Sequence, residues 1–228
     1  YLIVGALLLI IVALLATNKK LVETVKNIFK IEDLRKRLIY TCLLILVYRL
    51  GCYVVIPGID PNLLGEGSAL ANQMDSNGLL GLLNVFSGGA FANAAIFALG
   101  VMPYITASII IQLLGMMVPA VQKMMKEGES GRRKMNQWTR LLTIGVLALQ
   151  GPAYVANLYH QMPEAFVYGN AFIFTVYATI ILIAGTMFVV WLGEKITDKG
   201  IGNGVSLIIM IGIVARLPHA LLAELSAR

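Results

Sequence analysis

Long apolar runs separated by short polar connections make up most of this chain. A helix that crosses the hydrocarbon core of a bilayer needs about 20 mainly apolar residues. The pattern therefore predicts an all-α integral membrane protein with five spans. The predicted spans cover residues 38–56, 91–118, 141–159, 171–192 and 205–217.

The run of residues 78–118 carries no charged side chain and is about twice as long as one span. A Ser-Gly-Gly sequence at 87–89 interrupts it, and paired glycines are unfavourable inside a helix. We expect a short apolar helix, a hinge at the glycines, and a longer helix from about residue 91. Non-helical backbone at membrane depth is tolerated only where protein buries it or water fills a cavity beside it. The broken helix therefore predicts a cavity.

The chain has predicted segments before and after these spans. Residues 1–17 form an extra apolar segment that is marginally long enough to cross a membrane. Residues 18–37 hold seven basic and three acidic residues with apolar positions at helical spacing, as in a helix lying on a membrane surface. A solvated helix is the alternative. Residues 219–228 are predicted to be an external segment. The chain begins with Tyr1 instead of Met and stops soon after an apolar run, which favours a piece of a longer polypeptide.

Composition and charge support the membrane prediction. Hydrophobic residues make up 58% of the chain and charged residues 13%, with a mean hydropathy of +0.81. The net charge of +6 comes from blocks beside apolar runs, so it does not indicate nucleic-acid binding. Basic residues concentrate in alternate connections, as in cytoplasmic loops of membrane proteins. The loops predicted to be cytoplasmic are 18–37, 119–140 and 193–204.

Arg49 lies within the first predicted span. A charged side chain at the centre of a membrane helix costs about 2.5–3.5 kcal/mol on insertion scales. Two interpretations stay open. The side chain extends to the far interface, which its position past the midpoint favours, or it serves a pore.

Neither a catalytic centre nor a metal or cofactor site is predicted. His160 and His219 each lie singly near a span end, and no acidic residue lies inside an apolar run. Cys42 and Cys52 have the spacing of neither a metal site nor a redox pair. The glycine-rich run at 200–204 lacks the spacing of a dinucleotide-binding loop and predicts a tight turn. We therefore expect a protein that is not an enzyme.

Apolar and amide side chains beside the broken helix remain as candidates. Val101 and Ile105 share a helical face around Pro103, and a ring of such residues can block ions by excluding water. Ordinary helix packing is the alternative. Gln112 predicts either a hydrogen bond to another helix or a polar contact at a moving boundary.

From about residue 19 to its end, the chain resembles the N-terminal half of the SecY family, the channel subunits of bacterial protein translocases. Residues 1–17 have no counterpart in this resemblance, and Pro152 interrupts a span. The stretches that carry it are YRLGCYVVIPGID, FSGGAFANAAIFALGVMPYITASIIIQLL, KEGESGRRK and GTMFVVWLGEKITDKGIGNGVSLIIMIGIVARLP.

The resemblance implies the five-span half of a ten-span channel with an hourglass pore. Residues 78–89 would be the plug that closes the pore, and the helix from Phe91 to Leu114 would form one side of a lateral gate, at Thr106 and Gln112. The pore ring would include Val101, Ile105 and Ile209. The plug residues would be Leu79, Leu80, Leu82, Leu83, Val85, Phe86, Ser87, Gly88 and Gly89.

It also implies partners and a location. The substrates would be unfolded polypeptides and their signal sequences, moved across the bacterial cytoplasmic membrane or released sideways into its lipids. SecE and SecG would be membrane partners, and SecA or the ribosome would dock on the cytoplasmic side, the ribosome being the only link to nucleic acid. From the residues alone, one five-span half of an inverted-repeat solute transporter is the alternative.

Overall fold

The computed structural model of the chain describes residues 31–61, 64, 78–161, 163–166 and 171–226. The extra apolar segment at 1–17 and most of the predicted surface helix at 18–37 lie outside the described residues. Helices dominate the described part. They are α1 (Glu32–Gly51), α2 (Gly78–Phe86), α3 (Met102–Met117), α4 (Pro119–Lys126), α5 (Glu129–Gln161), α6 (Ala171–Lys199) and α7 (Gly204–Ser226), with a 3₁₀ turn at Pro163–Ala165.

Helix α1 joins the end of the predicted surface helix to the first predicted span. Glu32 and Asp33 occupy its first turn, where carboxylates interact favourably with the helix dipole. The helix stops at Gly51, earlier than the predicted residue 56. Residues after it pair instead with a later segment, since Ile56 N–H donates to Ala94 O at 2.9 Å and Ile96 N–H donates to Val54 O at 2.9 Å.

The predicted helix from residue 91 is wrong at its start. Residues 87–101 form consecutive turns, and α3 begins only at Met102. Positive φ angles at Gly88, Gly89, Ala94 and Gly100 are incompatible with a continuous right-handed helix. We call residues 87–101 the turn segment. Pro103 then suits the first turn of α3, where its missing N–H would have no helical partner.

Three other helices are longer than predicted. The polar residues 129–140 form the first turns of α5, and α6 extends through residue 199. The predicted bounds follow the apolar residues only. The helical hydrogen bonds of the backbone continue into the polar residues beside them, so the helices are longer than the apolar runs. Helix α7 likewise continues past Pro218, the predicted end, because a proline removes one helical hydrogen bond without necessarily ending the helix.

The turn segment lies where two apolar clusters meet. In the first cluster, Phe91, Ala94 and Ala98 pack with α5 and α6. In the second, Ala90, Ala95, Phe97 and Val101 pack with α1, α6 and α7. The alanines of this segment are almost completely buried, so their small side chains let helices approach its backbone closely.

The helices have the length and surface of a membrane protein. By length and composition, Arg133–Gln161 and Ala171–Lys199 could each cross a membrane. Met102–Met117 and Gly204–Ala215 are shorter apolar helices. Large apolar side chains such as Leu149 and Phe172 are about four-fifths exposed, at 79% and 80%. In a bilayer, lipid rather than water would cover them.

A substitution at Gly185 tests the packing of α6 against the turn segment. A Cβ there would lie 2.3 Å from the carbonyl oxygen of Ile96. We expect Gly185→Leu to destabilise the protein by about 1–3 kcal/mol, because the clash is with backbone that cannot move aside. The measurement is thermal unfolding of the complete protein in detergent.

Gly145→Leu is the matched control, since a Cβ at Gly145 has nothing within 4 Å. Equal melting temperatures for the two variants would contradict the predicted packing.

Candidate functional site

The broken helix predicted from the sequence is present, and glycines end its first part. Helix α2 stops at Phe86, and Gly88 and Gly89 follow with φ angles of +65° and +92°. Their N–H groups donate to Val85 O at 3.0 Å and to Asn84 O at 2.9 Å. Left-handed glycines commonly close a helix in this way.

Two buried polar side chains hold the hinge in shape. The Asn84 side-chain oxygen accepts a hydrogen bond from Ala92 N–H at 3.1 Å. The Ser87 hydroxyl donates to Asn84 O at 3.1 Å and accepts from Phe91 N–H at 3.1 Å. These bonds satisfy backbone groups that the turns leave without helical partners. Asn84 was not among the residues predicted from the sequence, although an amide inside an apolar run is a usable signal.

The predicted plug residues occupy different environments. Ser87, Gly88 and Gly89 are buried, whereas Leu82 and Phe86 are exposed by 56% and 37%. Leu83 packs against the first apolar cluster, and Val85 is partly buried. The structure does not describe the side chains of Leu79 and Leu80.

Arg49 contacts the hinge directly. Its Nη1 donates to Gly88 O at 2.8 Å and its Nη2 donates to the Tyr53 hydroxyl at 3.2 Å. The guanidinium carbon lies 5.3 Å from the centre of the Tyr53 ring, within cation–π distance. Arg49 therefore binds the predicted plug segment as well as Tyr53, just after the end of its own helix, which the sequence could not indicate.

The three predicted pore-ring residues belong to one apolar cluster. Val101 lies at the start of α3 and is 5% exposed. Ile105 on α3 and Ile209 on α7 are partly buried and pack against the same cluster. The fold thus brings together positions separated by more than 100 residues in sequence.

The two predicted gate residues lie on the exposed face of α3. The Thr106 hydroxyl donates to Met102 O at 3.1 Å, and Gln112 Nε2 donates to the Ser108 hydroxyl at 3.3 Å. Both bonds stay within α3. Neighbouring side chains on this helix are large, apolar and exposed, including Ile109, Leu113 and Met117.

A cavity of about 300 Å³ lies between α2, the turn segment, the start of α3 and the middle of α5. Its walls are mainly apolar, with Gln150 and Asn157 supplying amides. The position agrees with the cavity expected beside the broken helix. Its lining residues are Leu83, Phe91, Ala98, Leu99, Met102, Gln150, Ala153, Tyr154 and Asn157.

The connections contain a turn and an ion pair. Residues 200–203 join α6 to α7, and a Cβ at Gly204 would overlap the carbonyl oxygen of Gly193. The glycine-rich run is thus a tight turn, as predicted. Arg140 Nε donates to Glu194 Oε1 at 2.9 Å, and its Nη2 contacts Glu194 Oε2, which joins α5 to α6. The sequence analysis had assigned both residues to loops.

A family model described as SecY matches residues 95–227, more than half of the chain's 228 residues. The chain belongs to the SecY family. The resemblance found in the sequence motifs is therefore confirmed. The match includes the positions of Val101, Ile105, Thr106, Gln112 and Ile209.

Curated relatives extend the likeness over most of the chain. The protein translocase subunit SecY of Streptomyces scabiei is 46% identical over 201 residues, covering 85% of this chain and 45% of that protein. Its Thermotoga maritima counterpart is 43% identical over 198 residues, covering 86% and 46%. That of Buchnera aphidicola subsp. Acyrthosiphon kondoi is 46% identical over 190 residues, covering 82% and 52%. The chain spans about half the length of the curated relatives it matches.

Two solved structures share the fold. Sec61 in the canine ribosome-channel complex from the endoplasmic reticulum has a TM-score of 0.55 at 18% identity, covering 80% of this chain and 36% of that one. A structure described as that of a protein conducting channel gives a TM-score of 0.54 at 19% identity, with the same coverages of 80% and 36%. These likenesses confirm the predicted all-α, SecY-like membrane fold. The named relatives are translocase subunits rather than enzymes, in agreement with the sequence prediction.

Tyr154 offers a test of how firmly the turn segment is held. Its hydroxyl donates to Phe91 O at 2.8 Å in a buried setting. We expect Tyr154→Phe to lower the stability of the protein by about 1 kcal/mol, because the buried Phe91 carbonyl loses the shorter of its two hydrogen bonds and keeps only that from Ala94 N–H at 3.4 Å. Thermal unfolding in detergent measures the effect.

Tyr177→Phe is the control, since Tyr177 is an exposed tyrosine on α6. If the two variants unfold at the same temperature, the Tyr154 hydrogen bond contributes nothing measurable.

Proposed function

We propose that this chain is one five-span half of a protein-conducting channel that moves unfolded polypeptides across, or sideways into, a membrane. The observation that carries the proposal is the turn segment. It is a hinged, non-helical stretch at the junction of the apolar clusters, in a family whose named members are translocase subunits. Such backbone suits a helix that must break and move within a membrane.

In this proposal the residues at the hinge have separate roles. Residues 78–89 form the plug, and the glycines let it pivot at the end of α2. Val101, Ile105 and Ile209 form part of the constriction, where apolar side chains exclude water and ions. Uncharged walls suit a channel that must pass many sequences without binding any of them tightly.

The exposed face of α3 would be one side of the lateral gate. In the described contacts, the side chains of Thr106 and Gln112 form hydrogen bonds only within α3. This face can therefore separate from a neighbouring helix without breaking those bonds. Large apolar neighbours give the face an affinity for hydrophobic signal sequences and for lipid tails. The solute-transporter alternative finds no support among the relatives.

The proposed setting is the bacterial cytoplasmic membrane. Loops 18–37, 119–140 and 193–204 would face the cytoplasm, where SecA or the ribosome supplies the driving force, and residues 219–228 would lie outside. SecE and SecG would be the membrane partners. The concentration of basic residues on alternate connections supports this orientation.

Cysteine crosslinking tests the constriction. In the complete translocase, Val101→Cys and Ile105→Cys should crosslink to a polypeptide stalled in transit, because the passing chain must contact the narrowest part of the pore. Leu149→Cys, on the exposed face of α5, is the control and should react with lipid-soluble probes only. Labelling of all three positions by lipid probes alone would reject the proposed pore.

Deletion of residues 78–89 tests the plug. Removing a stopper should raise the ion conductance of the resting complex in planar bilayers while leaving translocation possible. Shortening the exposed turn at residues 127–128, between α4 and α5, serves as a deletion control. An unchanged resting conductance would count against the plug assignment.

A further inference from the structure

We propose that Arg49 on α1 keeps the plug closed by bonding its hinge, residues 87–89. We call this contact the latch, and we call Gly212 on α7, against which the hinge packs, the seat. This inference rests on the proposed channel function and adds a positioning residue outside the plug and the pore ring. Arg49 would thereby set how often the resting plug moves away.

The first observation is the direction of the Arg49 side chain. Its guanidinium donates to Gly88 O, a backbone carbonyl 39 residues away in sequence. Tyr53, one turn after Arg49, accepts a second hydrogen bond and offers its ring face to the same group. The side chain is thus held by Tyr53, just after the end of α1, while one nitrogen reaches the hinge.

Arginine has the right chemistry for such a latch. Its planar group carries five N–H donors at fixed angles, so it can bond Tyr53 and Gly88 at once. A hydrogen bond from a charged donor is about twice as strong as a neutral one. A cation within a membrane span is costly unless partners satisfy it, and displacing the hinge removes one of the partners of Arg49.

The second observation is the close approach of two glycines behind the hinge. A Cβ on Gly88 would lie 3.0 Å from Arg49 Nη1 and 3.1 Å from the Cα of Gly212. A Cβ on Gly212 would lie 3.0 Å from Phe86 O and 3.4 Å from Gly88 N. The hinge therefore lies in close contact with both the guanidinium of Arg49 and the backbone of α7.

These contacts cross the proposed plug at its pivot. The hinge can leave its seat only if the bond from Arg49 to Gly88 O breaks and the contact with α7 opens. Both contacts favour the closed position, and they come from two different helices, α1 and α7.

The first test removes the donor. Arg49→Met keeps much of the side-chain length but cannot donate a hydrogen bond to Gly88 O. Arg49→Lys keeps the charge but loses the planar guanidinium that can bond Gly88 and Tyr53 at once. We expect the resting ion conductance of the complete translocase in planar bilayers to rise about tenfold for Met, because losing a charged hydrogen bond shifts a two-state equilibrium by about that factor. Lys should give a smaller rise. Arg35→Met, at an exposed arginine of the same helix, should leave conductance unchanged.

The second test adds a side chain at Gly212, where the hinge packs against α7. Gly212→Leu would push against Phe86 O and Gly88 N and should also raise the resting conductance. Gly145→Leu is the matched control on α5, where the added side chain meets nothing within 4 Å. If Arg49→Met fails to accumulate in the membrane, Gly212→Leu decides the question alone.

Preprotein translocation by the same complexes separates the latch from the channel function. Normal translocation with unchanged conductance in Arg49→Met or in Gly212→Leu would overturn the latch and leave the channel intact. A raised resting conductance in both variants, with unchanged conductance in both controls, supports the latch. A wild-type complex that contains this chain and translocates nothing would overturn the proposed function itself.

Discussion

The need to hydrogen-bond backbone groups away from water controls this structure. A continuous helix would satisfy them automatically, but residues 87–101 are not helical. Their partners come from the chain around them instead. The segment after α1 pairs with residues 94 and 96, the side chains of Asn84 and Ser87 bond the turns, and the Tyr154 hydroxyl reaches Phe91 O. Burial of such a segment is possible only because these donors and acceptors converge on it.

Packing around the segment depends on small residues. Alanines and glycines together fill most of its buried positions, and Gly185, Gly88 and Gly212 lie where a larger side chain would meet backbone. Four helices, α1, α5, α6 and α7, can therefore lie close against this irregular stretch of chain. The same closeness fixes the hinge at one position, because the neighbouring backbone cannot adjust as a flexible side chain would.

Sequence patterns predicted the class, the number of apolar runs and the break at the glycines. They failed at the start of α3, because an apolar run does not reveal whether its backbone is helical or turned when both forms are buried. The left-handed Ala94 has no sequence signal, since alanine ordinarily favours helix. The helical state of Arg140 and Glu194 has no signal in hydropathy, because polar composition predicts a loop at both positions. The partners of Arg49 depend on tertiary contacts, so hydropathy could only place it inside a span.

The pairing between residues 54–56 and 94–96 has a consequence for biogenesis. Synthesis runs from the N terminus, so the earlier strand-like partner is already made when the irregular stretch emerges, only about forty residues later. Gly212 appears more than a hundred residues after Gly88. The pairing with residues 54–56 can thus form early in translation, while the contact with Gly212 must wait until α7 is made.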